Sequence, residues 1–97
     1  MIRHVSLLTF AEGTTDDQID AAATALRRLP ALIPELVDYR VGPDLGVDQG
    51  NATFVVIADF EDATGYTIYR DHAEHRAVAV EHIVPILASR SAAQYTI

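Results

Sequence analysis

The sequence predicts an α+β domain in which one antiparallel sheet carries two helices on a single face. Three observations predict it. Hydrophobic patterning alternates between strand and helix periods in the order β-α-β-β-α-β, the 97 residues suffice for one domain, and two of the strand-like runs are apolar on both faces. That order is the ferredoxin-like arrangement. No repeat, linker or low-complexity tract interrupts it, so residues 1–97 are read as a single domain.

The elements follow in order. Residues 2–10 read as a strand ended by Glu12-Gly13, and Thr15 with Gln18 three positions on forms a capping box for the first helix. Ile19, Ala22, Ala23, Leu26 and Leu29 are its buried stripe; Asp16 and Asp17 lie near its start and Arg27 and Arg28 near its end, as the helix dipole favours. Pro30 and Pro34 are expected to break regular helix. Val37, Tyr39 and Val41 alternate with Asp38 and Arg40 as a half-buried strand, and glycines and prolines from Gly42 to Gly50 mark the loop that follows. A further strand runs from about Thr53 to Phe60. Glu61-Asp62-Ala63-Thr64 opens the second helical region, Pro85 breaks it late, and Ser91 to Ile97 form the last strand.

Two helices cover only one face of such a sheet. In the first strand Val5 and Leu7 oppose Ile2, Leu8 and Phe10, and in the third Phe54, Val56 and Phe60 oppose Val55 and Ile57. Val5, Leu7 and either Phe54 or Val55 are therefore expected on an uncovered apolar face, with Arg3 at the interface or an edge. The simplest cover is the same face of a second copy, which gives a homodimer closed as an α/β barrel. The loop over 42–52 is the other candidate, but its glycines, prolines and polarity make it a poor lid. A chain of this length buries only about 60–65% of its unfolded surface, so association also helps stability.

Composition excludes several functions. Fourteen acidic against seven basic side chains give a net charge of -7, the wrong sign for binding nucleic acid or an anionic membrane. With no cysteine there is no disulfide, thiolate nucleophile or Cys-based zinc site. The first ten residues have too short an apolar run for a signal peptide, so a cytoplasmic location is expected. The glycines after the second strand precede another strand rather than a helix, so no phosphate-cradling loop is supported, and there is no nucleophile elbow.

Chemistry concentrates in Tyr69-Arg70-Asp71-His72-Ala73-Glu74-His75. An imidazole can take a proton from a carbon acid and a phenol can hydrogen-bond the developing enolate, without any cofactor. In one unbroken helix Tyr69 and His75 would stand about 120° apart and would not converge. A break at Asp71-His72 would let both face one cavity. On the first strand, His4 is either a cavity liner or a hydrogen-bonded core histidine; Ser6 shares its face and favours a slightly polar cavity, lined further by Leu8, Leu26 and Val80 or Val84. Metal binding is not expected: His72 and His75 can share a helical face, but His82 lies about 10.5 Å further along the helix from His75. His82 is read as a surface or dimer-contact residue.

Met1-Ile2-Arg3-His4-Val5, Leu29-Pro30-Ala31-Leu32-Ile33-Pro34, Phe60-Glu61-Asp62, and Tyr69 followed by His72 and His75 together resemble the stress-responsive dimeric α/β-barrel (Dabb) family across essentially the whole chain. The resemblance implies a ferredoxin-like protomer and a dimeric barrel. The family includes plant stress proteins and a polyketide cyclase that closes an aromatic ring by aldol chemistry, so membership alone does not fix a function. The cyclase resemblance puts Tyr69 and His75 at its catalytic tyrosine and histidine and His4 at a pocket-lining histidine; Phe54 replaces a second pocket histidine. Leu8, Leu26, Ser6 and His72 complete the expected substrate contacts. The family's proline after the first histidine is replaced here by Ala73, and Asp71 with Glu74 is expected to cap the helix instead.

Two functions of different class remain open. One is a cofactor-independent cyclase, aldolase-like lyase or isomerase that uses Tyr69 and His75 on an apolar carbonyl or polyketide-like molecule. The other is a non-catalytic stress-responsive dimer that binds an apolar small molecule or serves a structural role.

Overall fold

The computed structural model describes residues 1–97. Strand β1 (Ile2–Phe10) is followed by α1 (Asp16–Arg27), the short α2 (Leu29–Leu32), β2 (Asp38–Pro43), β3 (Phe54–Phe60), α3 (Ala63–Asp71), α4 (Ala73–Val78) and β4 (Leu87–Thr96). A π-helical turn (Ala79–Ile83) and a 3₁₀ turn (Val84–Ile86) join α4 to β4. The sheet order is β2-β3-β1-β4, antiparallel throughout, which is the ferredoxin-like fold. No helix is long and apolar enough to cross a membrane.

The local signals act as their chemistry requires. Thr15 caps α1 with both halves of its capping box formed, and Asp62 caps α3 by accepting from the Gly65 amide at 2.9 Å. Arg27 reaches from the end of α1 to the Val41 carbonyl at 3.1 Å and ties the helix to β2. Ala22, Ala23 and Leu26 are buried on the sheet, while Ile19 is only partly buried.

Five boundaries differ from expectation. The first is that β2 runs on through Gly42 and Pro43, which pair with Val55 and Phe54 instead of opening the loop. Pro30 does not end helical structure: it sits in the first turn of α2, where its missing amide costs nothing. Val37 precedes β2 and is 49% exposed, although its amide donates to the Asp59 carbonyl at 2.9 Å. β4 begins at Leu87 rather than Ser91, because β1 offers it partners from Ile2 to Phe10. Asp71 does not cap α4. Its backbone stays helical and its carboxylate takes two hydrogen bonds from Arg70, so His72 becomes the cap, its Nδ1 accepting from the Glu74 amide at 3.1 Å.

β1 and β3 sort their side chains by alternation. His4, Ser6, Leu8, Phe10, Phe54, Val56, Ala58 and Phe60 face the helices and are buried. Arg3, Val5, Leu7, Val55, Ile57 and Asp59 fall on the other face; Phe54 therefore belongs to the core and Val55 to the open face. Asp44, Asn51 and Ala52 of the following loop border Leu7, which nevertheless remains 43% exposed, so the loop covers it only in part. Arg3 grips Asp59 through Nε and an Nη at 2.8 and 2.9 Å, which holds this nearly buried carboxyl below the usual carboxylate range.

Phe60, Phe54, Leu29 and Ile33 are the largest fully buried side chains. Phe60 also carries the site, since its ring packs against Tyr66 and Tyr69 at 5.8 and 5.4 Å. Phe60→Ala is expected to cost about 3–5 kcal/mol, read as a lower urea midpoint with an unchanged slope.

Candidate functional site

The break in the second helical region is the structural event that builds the site. His72 adopts φ -64° and ψ 135°, so α3 stops at Asp71 and α4 starts at Ala73 in a new direction. Tyr69 and His75 thereby reach a ring-centroid separation of 4.2 Å. In an unbroken helix the Glu74 amide would bond the Arg70 carbonyl. Here that amide is taken by the His72 ring, which leaves the Arg70 carbonyl to the Nδ1 of His75 at 3.1 Å.

That contact selects a tautomer. A carbonyl only accepts, so His75 carries its proton on Nδ1 and its Nε2 lone pair is left free. Burial lowers the His75 pKa from its usual value, followed by the charge of Arg90, against the opposing pull of the Arg70 carbonyl. The ring is neutral at neutral pH and has the form of a base.

Tyr69 is buried, and its hydroxyl lies 3.0 Å from that of Tyr39 on β2. Burial pushes the Tyr69 phenol up to about 12, and that of Tyr39 higher still, so both stay protonated. With Tyr39 donating, the Tyr69 proton is free for another acceptor. His4 stacks on Tyr66 at 4.8 Å and accepts from the Gln94 amide at 2.7 Å. Burial, helped by the charges of Arg90 and His75, lowers its pKa to about 4.

These groups border a cavity of about 310 Å³ between sheet and helices, with 9 of its 14 lining residues hydrophobic. That volume falls at the lower end of the range for small-molecule sites. His4, Ser6, Leu8, Leu26, Tyr69 and His75 line it, and so does Val84; Val80 is 69% exposed and does not. Phe54 and His72 are the two expected contacts that the structure places elsewhere. Phe54 sits at the Leu8 end of β3 and packs its ring on Phe10 at 5.7 Å; the ring of His72 is spent on the α4 cap. Tyr66, Arg70, Val56, Ile83 and Arg90 line the cavity unforeseen, and Tyr39 supports it from behind. His72 and His75 do not converge with a third ligand, and no group of three His, Asp or Glu side chains is placed to hold a metal.

Fold and cavity define a class: a ferredoxin-like α+β protein with an apolar chamber that collects imidazole, phenol and guanidinium groups. Within it, the chain belongs to the stress responsive A/B barrel domain (Dabb) family, whose model matches residues 2–97. A dimeric ferredoxin-like protein of unknown function from Thermobifida fusca is 44% identical, with a TM-score of 0.90 over 99% of this chain and 90% of its own. A dimeric protein of unknown function and ferredoxin-like fold from Bacteroides fragilis has a TM-score of 0.89 at 18% identity, over 99% and 95% of the two chains. A hydroxynitrile lyase from Passiflora edulis has a TM-score of 0.84 at 20% identity, over 99% and 92%. The last two speak to the fold alone. No curated protein matches the sequence.

Buried His4 and half-buried His75 should both titrate below an ordinary histidine. In an NMR titration His4 is expected to show a midpoint near 4, and His75 one below the usual histidine value. Both folded values lie below the unfolded value of about 6.5, so the stability these rings contribute is complete above that pH. It is lost as pH falls through the folded values, because the unfolded chain then binds the additional protons.

Proposed function

We propose that the protein is a homodimeric Dabb-family barrel whose cavity binds an apolar carbonyl compound of polyketide-like type, and that Tyr69 and His75 act on it as a cofactor-independent acid–base pair. The observation that carries this reading is the free Nε2 of a neutral His75 beside a protonated Tyr69 at one apolar chamber. His75 Nε2 removes a proton from the carbon next to the carbonyl, and the Tyr69 hydroxyl donates to the enolate oxygen. The enolate carbon then attacks a second carbonyl carbon of the same molecule. As that carbon–carbon bond forms, its oxygen takes the proton back from the His75 imidazolium, and His75 is neutral again.

Assembly as a dimer is supported by the open face of Val5, Leu7, Val55 and Ile57 and by the dimeric Thermobifida fusca relative. Leu7→Asp is expected to convert a dimer into a monomer in light scattering. A wild-type chain that stays monomeric at micromolar concentration would remove the barrel from the proposal.

Activity on a panel of poly-β-keto and lactone substrates tests the chemistry. His75→Ala should lower the rate by about 10²–10⁴ and Tyr69→Phe by about 10²–10³. The rate should rise with pH through the lowered His75 pKa and be level at neutral pH, because the neutral ring is the reactive form. Full activity in the double variant would refute the assignment. Binding without turnover is the second reading, favoured by the 3% exposure of Tyr69 and the partner its hydroxyl already has in Tyr39. Ligands that shift the His75 resonances but are never consumed would establish it.

A further inference from the structure

The cavity wall has one charge that the acid–base pair does not use. Arg90 stands on β4 opposite Leu8 in register, so its side chain shares the inward face of β1. Its Nε donates to Ser6 Oγ at 3.2 Å, which fixes the near end of the guanidinium against the cavity floor. Arg90 itself is exposed at the cavity's edge. It has no ion pair, although the chain holds 14 carboxylates against 7 arginines.

The remaining lining sharpens this. No Asp or Glu borders the cavity, and Arg70, the other cation there, is matched by two hydrogen bonds to Asp71 at 3.0 Å. His4 and His75 are neutral, and Tyr69 is protonated. The site therefore carries one uncompensated positive charge, held at one end of an apolar chamber. That charge is felt at His4, Tyr69 and His75, each of whose pKa it lowers. A fixed guanidinium with free terminal nitrogens matches a planar carboxylate.

We propose that the cavity selects carbonyl compounds that also carry a carboxylate, with Arg90 binding the carboxylate at the edge while the apolar body lies along Leu8, Leu26 and Ile83. This rests on the cavity being the ligand site, and it adds the class of ligand and its orientation. Ser6 becomes a positioning residue that aims the guanidinium.

Benzoylpropionate, an aryl ketone with a carboxylate, and its uncharged methyl ester form a matched pair of probes for calorimetry and for NMR of the histidine rings. The wild-type protein should bind the acid about 10–100-fold more tightly than the ester, and added salt should narrow the gap. Arg90→Met should bring the acid down to the affinity of the ester and leave the ester unchanged, which also shows that the variant is folded. Arg90→Lys, with charge but no fork, should fall between. Acid and ester that bind equally while shifting His75 would overturn the carboxylate proposal and leave the cavity reading intact. An acid preference that survives Arg90→Met would also overturn it. If neither probe moves His4 or His75, both readings fall.

Discussion

Strand β1 is hydrogen-bonded on both sides, to β3 from Ile2↔Phe60 to Leu8↔Phe54 and to β4 from Ile2↔Thr96 onward. A central strand held this way has no freedom of register, and a slip of one residue would turn each of its side chains to the wrong face. Its alternation therefore decides two things at once. Inward, His4 and Ser6 interrupt an otherwise apolar row and become polar points on the cavity floor. Outward, Val5 and Leu7 join Val55 and Ile57 in an apolar surface that the helices never reach. Arg3 and Asp59 interrupt that surface as an internally matched pair, so it presents little net charge to a second copy.

The site depends on a second constraint, the competition for backbone groups at His72. Ending α3 at Asp71 frees the Arg70 carbonyl and leaves the Glu74 amide in need of an acceptor. The His72 ring supplies that acceptor, and the freed carbonyl takes the His75 proton. Two histidines three positions apart thus have separate duties: one shapes the chain and the other faces the cavity. The absence of proline at Ala73 does not matter to the break, because the side-chain cap performs the same task.

Element order, the full extent of β1, the capping box at Thr15 and the inward facing of His4, Ser6, Leu8 and Leu26 were legible in the sequence from period and close spacing. The pairing of Tyr69 with His75 rested instead on the family resemblance and on a helix break that the sequence left open. What was illegible depends on partners distant in sequence. Tyr39 reads as one half-buried strand residue, and nothing local shows that its hydroxyl meets Tyr69. Arg90 lay before the expected start of β4, and its facing was undetermined until pairing with β1 drew the strand back to Leu87. Phe54 was assigned by a resemblance at one position, whereas the core claims its ring through Phe10. The Asp71 cap failed because Arg70 competes for the same carboxylate one residue away.

Burial and backbone contacts then set the chemical polarity of the chamber. Desolvation keeps both imidazoles neutral and both phenols protonated, so at neutral pH the wall offers an acceptor at His75, a donor at Tyr69 and, among its buried groups, no charge. The charge is confined to the edge, where solvent reduces the cost of leaving Arg90 unpaired. A ligand that satisfies all three groups must be apolar along its body and anionic at one end. In the proposed chemistry this guanidinium has two opposed effects. It lowers the basicity of His75 and so opposes proton transfer to the ring, while its positive charge stabilises the enolate that the transfer forms. A ligand carboxylate bound to it would relieve the first effect. Arg90 would then serve binding and reactivity through one charge, which ties the orientation of the ligand to the basicity of His75.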